Sequence, residues 1–202
     1  DANNMRNSIN DDWSELKKLQ NPDGGFSWYA GYPSSYYNSL YILKNLGRLN
    51  DWLKGNLADY QSTEQKEMVA QLVKYVDNEV SRYFDVKAVA ERSRSNVWNN
   101  YVLDYLDTRH YWEKEYPLKG DGKKMKDLVI SKAKIAKITD FTFFGLHRAA
   151  LLFDAYNLKD VSKKLMTYLK ETSVQSETQG VYWKQNLNDW GWYSSKTVNH
   201  AG

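Results

Sequence analysis

The sequence predicts an all-α protein in which paired helices stack into an α/α toroid, or into an open solenoid if the ring does not close. Three observations lead there. Amphipathic helical stretches alternate with more apolar ones, each pair joined by a turn. One hexad occurs twice, as Tyr41-Ile42-Leu43-Lys44-Asn45-Leu46 and as Tyr101-Val102-Leu103-Asp104-Tyr105-Leu106. A glycine-bearing aromatic corner, Asn21-Pro22-Asp23-Gly24-Gly25-Phe26-Ser27-Trp28-Tyr29, stands between the first two helices. A small Trp-rich β-hairpin or extended loop is expected near the C-terminus.

The first helix covers 3–19, where Met5, Ile9, Trp13 and Leu16 recur on one narrow face. The corner ends it: Pro22 sets its own φ, Asp23 bonds nearby backbone, and the glycines admit positive φ. Phe26 and Trp28 stand two apart. On an extended segment that puts both on one side, as plugs for the end of a helical layer. Ser34 reads as the cap of a second helix that runs to Leu49. Tyr36, Tyr37, Leu40, Tyr41, Leu43, Leu46 and Leu49 make it apolar over much of its girth, so it is expected inside, covered on several sides. Gly47 within it would either let a neighbour come close or begin the helix's end.

Residues 50–61 connect. Ser62-Thr63-Glu64-Gln65 then opens a third helix as a capping box, with Met68, Leu72, Tyr75, Val76 and Val80 as its stripe. Its charge marks it as an outer helix. Residues 84–94 read as a helix end and a turn. Ser95 caps a fourth helix, 96–108, with Val97, Trp98, Tyr101, Val102, Tyr105 and Leu106 inside. Gly120-Asp121-Gly122 is a turn before a basic fifth helix, 123–137, whose stripe is Met125, Leu128, Val129, Ile135 and Ile138. Thr139 or Asp140 caps the sixth, 141–156, the most apolar stretch, and a seventh covers 161–171. Gly180-Val181-Tyr182-Trp183 and Trp190-Gly191-Trp192-Tyr193 then flank a polar loop and read as the hairpin, before Ser194-Ser195 caps another helix. The apolar helices start near Ser34, Ser95, Asp140 and Ser194, at intervals of roughly 45 to 60 residues.

Composition narrows the function classes. With eight Trp, sixteen Tyr and 42% hydrophobic residues in 202, the chain can bury a large core. A mean hydropathy of -0.75 keeps its surface polar. The net charge of +3 comes from 28 basic and 25 acidic residues closely mixed, which argues against a nucleic-acid footprint. The densest basic run, Lys119 to Lys137, reads as the solvated face of a helix. With no cysteine there is no disulfide, thiolate metal site or thiol nucleophile. No run approaches the roughly 18 apolar residues of a membrane span. The polar start, Asp1-Ala2-Asn3-Asn4, is read as that of a fragment, 1–202 being a single domain cut from a much larger multidomain protein.

No residue set announces chemistry. His110, His147 and His200 lack ligand spacing, and His147 reads as packed beside Phe143, Phe144 and Leu151. Asp11-Asp12 reads as solvent-facing charge. Asn186, Asn188 and Asp189 lack the spacing of a calcium loop. Trp183, Trp190, Trp192 and Tyr193 suit either a carbohydrate platform or a plug on the helical layer, and the plug is preferred. Tyr32, Tyr36 and Tyr37 carry the same two readings. Trp28, Tyr32, Trp183, Trp190 and Trp192 are the candidate surface contacts. No catalytic residue, metal or cofactor is expected.

One stretch carries a family likeness. Leu19-Gln20-Asn21-Pro22-Asp23-Gly24-Gly25-Phe26-Ser27-Trp28, then Gly31, Tyr41-Ile42-Leu43 and Leu46-Gly47-Arg48-Leu49, resembles bacterial alpha-2-macroglobulin-like proteins. It looks like their α/α-toroid domain, the one equivalent to the thioester domain of complement proteins. Gly180-Val181-Tyr182-Trp183 followed by Trp192-Tyr193-Ser194-Ser195 is a second match, so the likeness spans Asp1 to Gly202. The resemblance implies a large exported parent, in the periplasm or anchored at the cell envelope, that traps proteases after a bait region is cut. Its partners would be proteases and neighbouring domains of the same chain, with neither nucleic acid nor membrane insertion. Thioester-bearing members carry Cys-x-Glu-Gln upstream of the glycine turn. Here Ser62-Thr63-Glu64-Gln65 has no thiol and follows the turn, so no thioester is expected in these residues and Ser62 to Gln65 is a helix cap. The alternatives are an α/α-toroid carbohydrate-active enzyme, a terpene cyclase (though no Asp-x-Asp-Asp acid is present) or a glycan- or protein-binding module.

Overall fold

The computed structural model describes residues 2–83, 97–178 and 180–184, with side chains from Asn10 onward. Helix dominates them, so the class is all-α. The helices are α1 (Ala2–Leu19), α2 (Tyr36–Trp52), α3 (Thr63–Tyr83), α4 (Asn100–Arg109), α5 (Gly120–Ala133), α6 (Phe143–Ala155) and α7 (Lys159–Thr172). Short 3₁₀ turns stand at Leu57–Tyr60, His110–Trp112 and Ile138–Asp140, and β1 (Val174–Ser176) pairs with β2 (Gly180–Tyr182). The chain divides into two compact units, Asp1–Val86 with Tyr105–Lys124, and Lys87–Asp104 with Met125–Gly202.

In the first unit α2 packs on α3 and on the His110–Trp112 turn. Gly47 permits this: a Cβ there would come within 2.6 Å of the Tyr111 Cβ and 3.0 Å of the Trp112 ring nitrogen. That nitrogen donates to the Leu43 carbonyl at 3.0 Å. The cap of α2 is Ser35, which accepts from the Asn38 amide, and not Ser34. The Ser34 hydroxyl is already committed, donating to Asp23 Oδ1 at 2.7 Å and accepting from Asn21 Nδ2 at 3.0 Å.

The expectation for α2 is half met. Leu40, Leu43 and Gly47 are buried, but Tyr37, Tyr41 and Leu49 are exposed, so the helix is covered on one side rather than several. Meanwhile α3, read as the outer helix, buries Met68, Val69, Leu72, Val73, Tyr75, Val76 and Val80. Charge reports only the solvent side of a helix. The width of its buried face depends on which neighbours land on it.

In the second unit Trp98 is the centre, 5.0 Å from the Phe141 ring and 5.7 Å from Phe153, edge-on to the latter. α6 and α7 form a helical hairpin. Asn157 takes the left-handed position after α6 at φ 58°, and the Leu158 amide reaches back to the Phe153 carbonyl at 2.7 Å. The Ser162 hydroxyl donates to the Ala150 carbonyl at 2.7 Å and pins the two helices.

Several boundaries move. α4 is capped by Asn99, whose Oδ1 accepts from the Val102 amide at 2.9 Å. It begins at Asn100, leaving Val97 and Trp98 buried in the turn before it, and it exposes Tyr101. Asparagine caps as well as serine, and it stands nearer the helical pattern than Ser95. Gly120-Asp121-Gly122 is the first turn of α5, not a loop. α5 stops at Ala133, so helical spacing no longer governs Ile135, which is 57% exposed while Ala136 is buried. Of the basic run, Lys123 and Lys124 on α5 and Lys134 beyond its end are exposed, while Lys126 and Lys132 are half-buried, so the run is solvated only in part. Thr142 caps α6, accepting from the Gly145 amide at 3.0 Å. Asp140, the expected cap, instead accepts from the Lys137 amide at 2.9 Å in the preceding turn. β2 finds its partner upstream, with Val181 opposite Gln175, across a tight turn that costs less to close than a longer loop. Residues 84–96, Trp190 to Ser195, Asn186, Asn188, Asp189 and His200 lie outside the described residues.

Candidate functional site: the aromatic corner

The corner is a joint in which nearly every polar group has a partner. Gly25 N–H donates to Asp23 Oδ1 at 3.0 Å, and Asn21 N–H to the Gly25 carbonyl at 2.8 Å. Gln20 Nε2 donates both to the Gly24 carbonyl at 3.0 Å and to the Met68 carbonyl on α3 at 2.9 Å. Phe26 N–H meets Ser39 Oγ at 2.7 Å, and Asn38 Nδ2 meets the Ser27 carbonyl at 2.8 Å, both on α2. Three helices are thereby tied at one point. Gly24 sits at φ 90°, with the Gln71 carbonyl oxygen 2.4 Å from where a Cβ would stand, so a side chain is excluded by both strain and space.

Phe26 and Trp28 part company. Phe26 is 1% exposed and plugs the joint, whereas Trp28 is 57% exposed. The segment bends at Trp28-Tyr29, and the Tyr32 amide closes a turn onto the Tyr29 carbonyl at 3.1 Å, so the two-residue alternation fails. Trp28 instead stacks on Tyr37, with ring centroids 6.1 Å apart and planes 21° from parallel. Tyr29 and Tyr32 meet edge-on at 5.9 Å, and both are exposed. Of the candidate surface aromatics, Trp28 and Tyr32 are therefore on the surface. Trp183 is half-buried: its ring nitrogen donates to the Leu169 carbonyl at 2.7 Å, and its ring packs on Phe143 and His147. That is a plug. Trp190 and Trp192 lie outside the described residues.

Ser62 and Gln65 make the reciprocal cap of α3. Gln65 N–H donates to Ser62 Oγ at 3.2 Å and Ser62 N–H to Gln65 Oε1 at 3.0 Å. A groove of about 320 Å³ runs beside the corner, lined by Lys17, Gln20, Glu64, Glu67, Met68 and Gln71, with Lys17 and Glu64 joined in an ion pair. Among the described residues no three His, Asp or Glu converge as a metal site would need.

Two charged clusters that sequence reasoning missed lie behind α2. Arg109 is wholly buried; its Nε donates to Asp77 Oδ1 at 2.7 Å and its Nη2 to the Tyr116 carbonyl at 2.8 Å. The Tyr105 hydroxyl donates to the same Asp77 oxygen at 2.8 Å. Burial, then the Asp77 charge, pushes the Tyr105 and Tyr36 phenols well above their usual range. Lys44 pairs with Asp107, and His110 Nδ1 lies 3.9 Å from the same carboxylate. Burial lowers the His110 pKa, with Asp107 opposing. The available signal was a charge at helical spacing from apolar residues, as Asp77 is from Val73 and Val80 and Asp107 from Leu103.

No protein-family model matches the chain, and no curated protein matches it significantly.

Proposed function

We propose that this chain is a toroid-type helical domain of an exported alpha-2-macroglobulin-like protease inhibitor, thioester-domain-like but without the thioester. It is a non-catalytic domain that works through contacts with sister domains while the parent traps its protease. The observation that carries the reading is the corner. Asn21, Asp23, Gly24, Gly25 and Phe26 bear the family likeness, and all are spent on joining α1, α2 and α3. Residues held by such bonds serve geometry rather than turnover. The repeated hexad supports stacked hairpins: Tyr41 and Tyr101 are both exposed, and Leu43 and Leu103 are both fully buried.

The test uses the full-length parent, incubated with proteases of different classes. Cleavage of large substrates should slow while cleavage of small peptides continues, with a protease complex that survives gel filtration. Unchanged cleavage of large substrates, with no complex, sinks the proposal.

A further inference from the structure

One face of α2 is buried on α3 and on the His110–Trp112 turn, and a second, aromatic-rich face is exposed. Opposite its buried face, Tyr37, Tyr41, Asn45, Arg48 and Trp52 follow one another at spacings of four, four, three and four, and all are exposed. At 1.5 Å per residue this stripe is roughly 22 Å long. Tyr37 is 54%, Tyr41 61% and Trp52 81% exposed, and Trp28 widens the near end by stacking on Tyr37. In a chain that is 26% charged, residues 24–43 carry no charge, and Lys44, Arg48 and Asp51 follow in the second half of α2. Aromatic side chains together with an arginine are the residues enriched at protein interfaces.

We infer that the occupant of this stripe is a second copy of the chain, in an antiparallel two-fold pairing of α2 with its counterpart. The stripe's own order selects that occupant. An axis passing between Lys44 and Asn45 sets Tyr37 opposite the partner's Trp52, and Tyr41 opposite the partner's Arg48. The first is an aromatic pair and the second a cation–π pair, each formed twice by symmetry. The charge nearest the axis, Lys44, is paired with Asp107 and largely covered. Trp28, Tyr37, Tyr41 and Trp52 together offer roughly 400–600 Å² of exposed aromatic surface per copy. With Leu49 and Asn45 added, that approaches the about 800 Å² per partner of a standard interface. This inference stands on the exposed face and does not rest on the protease-trapping reading.

Sedimentation velocity on the chain, from low to high micromolar concentration, tests it. A monomer–dimer equilibrium is expected, weakened about tenfold or more by Trp52→Ser and by Tyr41→Ser. Both are surface positions, and circular dichroism establishes that the variants fold. The chain has no cysteine, so Asn45→Cys supplies a single thiol beside the axis. A short bis-maleimide should couple it into dimers far faster than it couples Glu67→Cys on α3. A monomer at every concentration, or equal coupling of the two thiols, overturns the inference. So does a monomer whose tryptophan fluorescence responds to soluble oligosaccharides, which would give the stripe to glycan instead.

Discussion

Gly24 is the residue at which the corner tolerates least. Alanine there must hold φ near 90° and press its Cβ on the Gln71 carbonyl oxygen. Gly24→Ala should cost on the order of 2–3 kcal/mol, read as a lower urea midpoint at unchanged slope. Gly31, also at positive φ but with nothing near its Cβ position, should pay only the backbone part. The histidines give a pH signature. Burial lowers both His110 and His147 below the ordinary 6.5, so the unfolded chain binds protons that the folded chain refuses. Stability from this source is complete above about pH 6.5 and falls as pH drops toward the lowered folded values. Urea midpoints at neutral and mildly acid pH should therefore differ, and His147→Gln should flatten the difference. A slope unchanged by that substitution would place the acid sensitivity elsewhere.

At the scale of elements, the helix caps and one buried ion pair set most of the geometry. Ser62→Ala removes half of the reciprocal cap on α3 and should cost about 1 kcal/mol. Asp77, on α3, holds Arg109 and Tyr105 of α4. Asp77→Ala strands a guanidinium with no exposure and should cost about 3–5 kcal/mol. Arg109→Met should cost less, since the Asp77 side chain keeps 32% exposure and can be hydrated. Reversal of that order in denaturant titrations would remove desolvation as the cause. Element existence was legible from periodicity alone in α1, α3, α6 and α7. The starts were harder. Ser34 and Ser35 are equal candidates on paper, and only the bond from Ser34 to Asp23 across the corner decides between them. Ser95 and Asn99 compete likewise, as do Thr139, Asp140 and Thr142.

For the whole molecule, the second face of α2 links stability to association. If copies pair through it, the melting temperature should rise with protein concentration, and Trp52→Ser should abolish the rise. The sequence carried this face openly, as a helix apolar on too many sides. It was legible as a demand for cover and illegible as to where the cover would come from. The buried charges were the reverse case. Asp107 and Arg109 look like ordinary surface residues until α2, α3 and α4 pack around them, and Asp77 until it is half covered.

The sequence by itself determined the class, the corner and the stripe of α3, because helical period and turn chemistry are local properties of adjacent residues. Tertiary structure alone decided that Phe26 is buried while Trp28 is exposed, that β2 pairs with residues upstream, and that α3 buries more than α2. Each of these depends on which distant surface reaches a residue first, and a side chain does not encode its neighbours' positions.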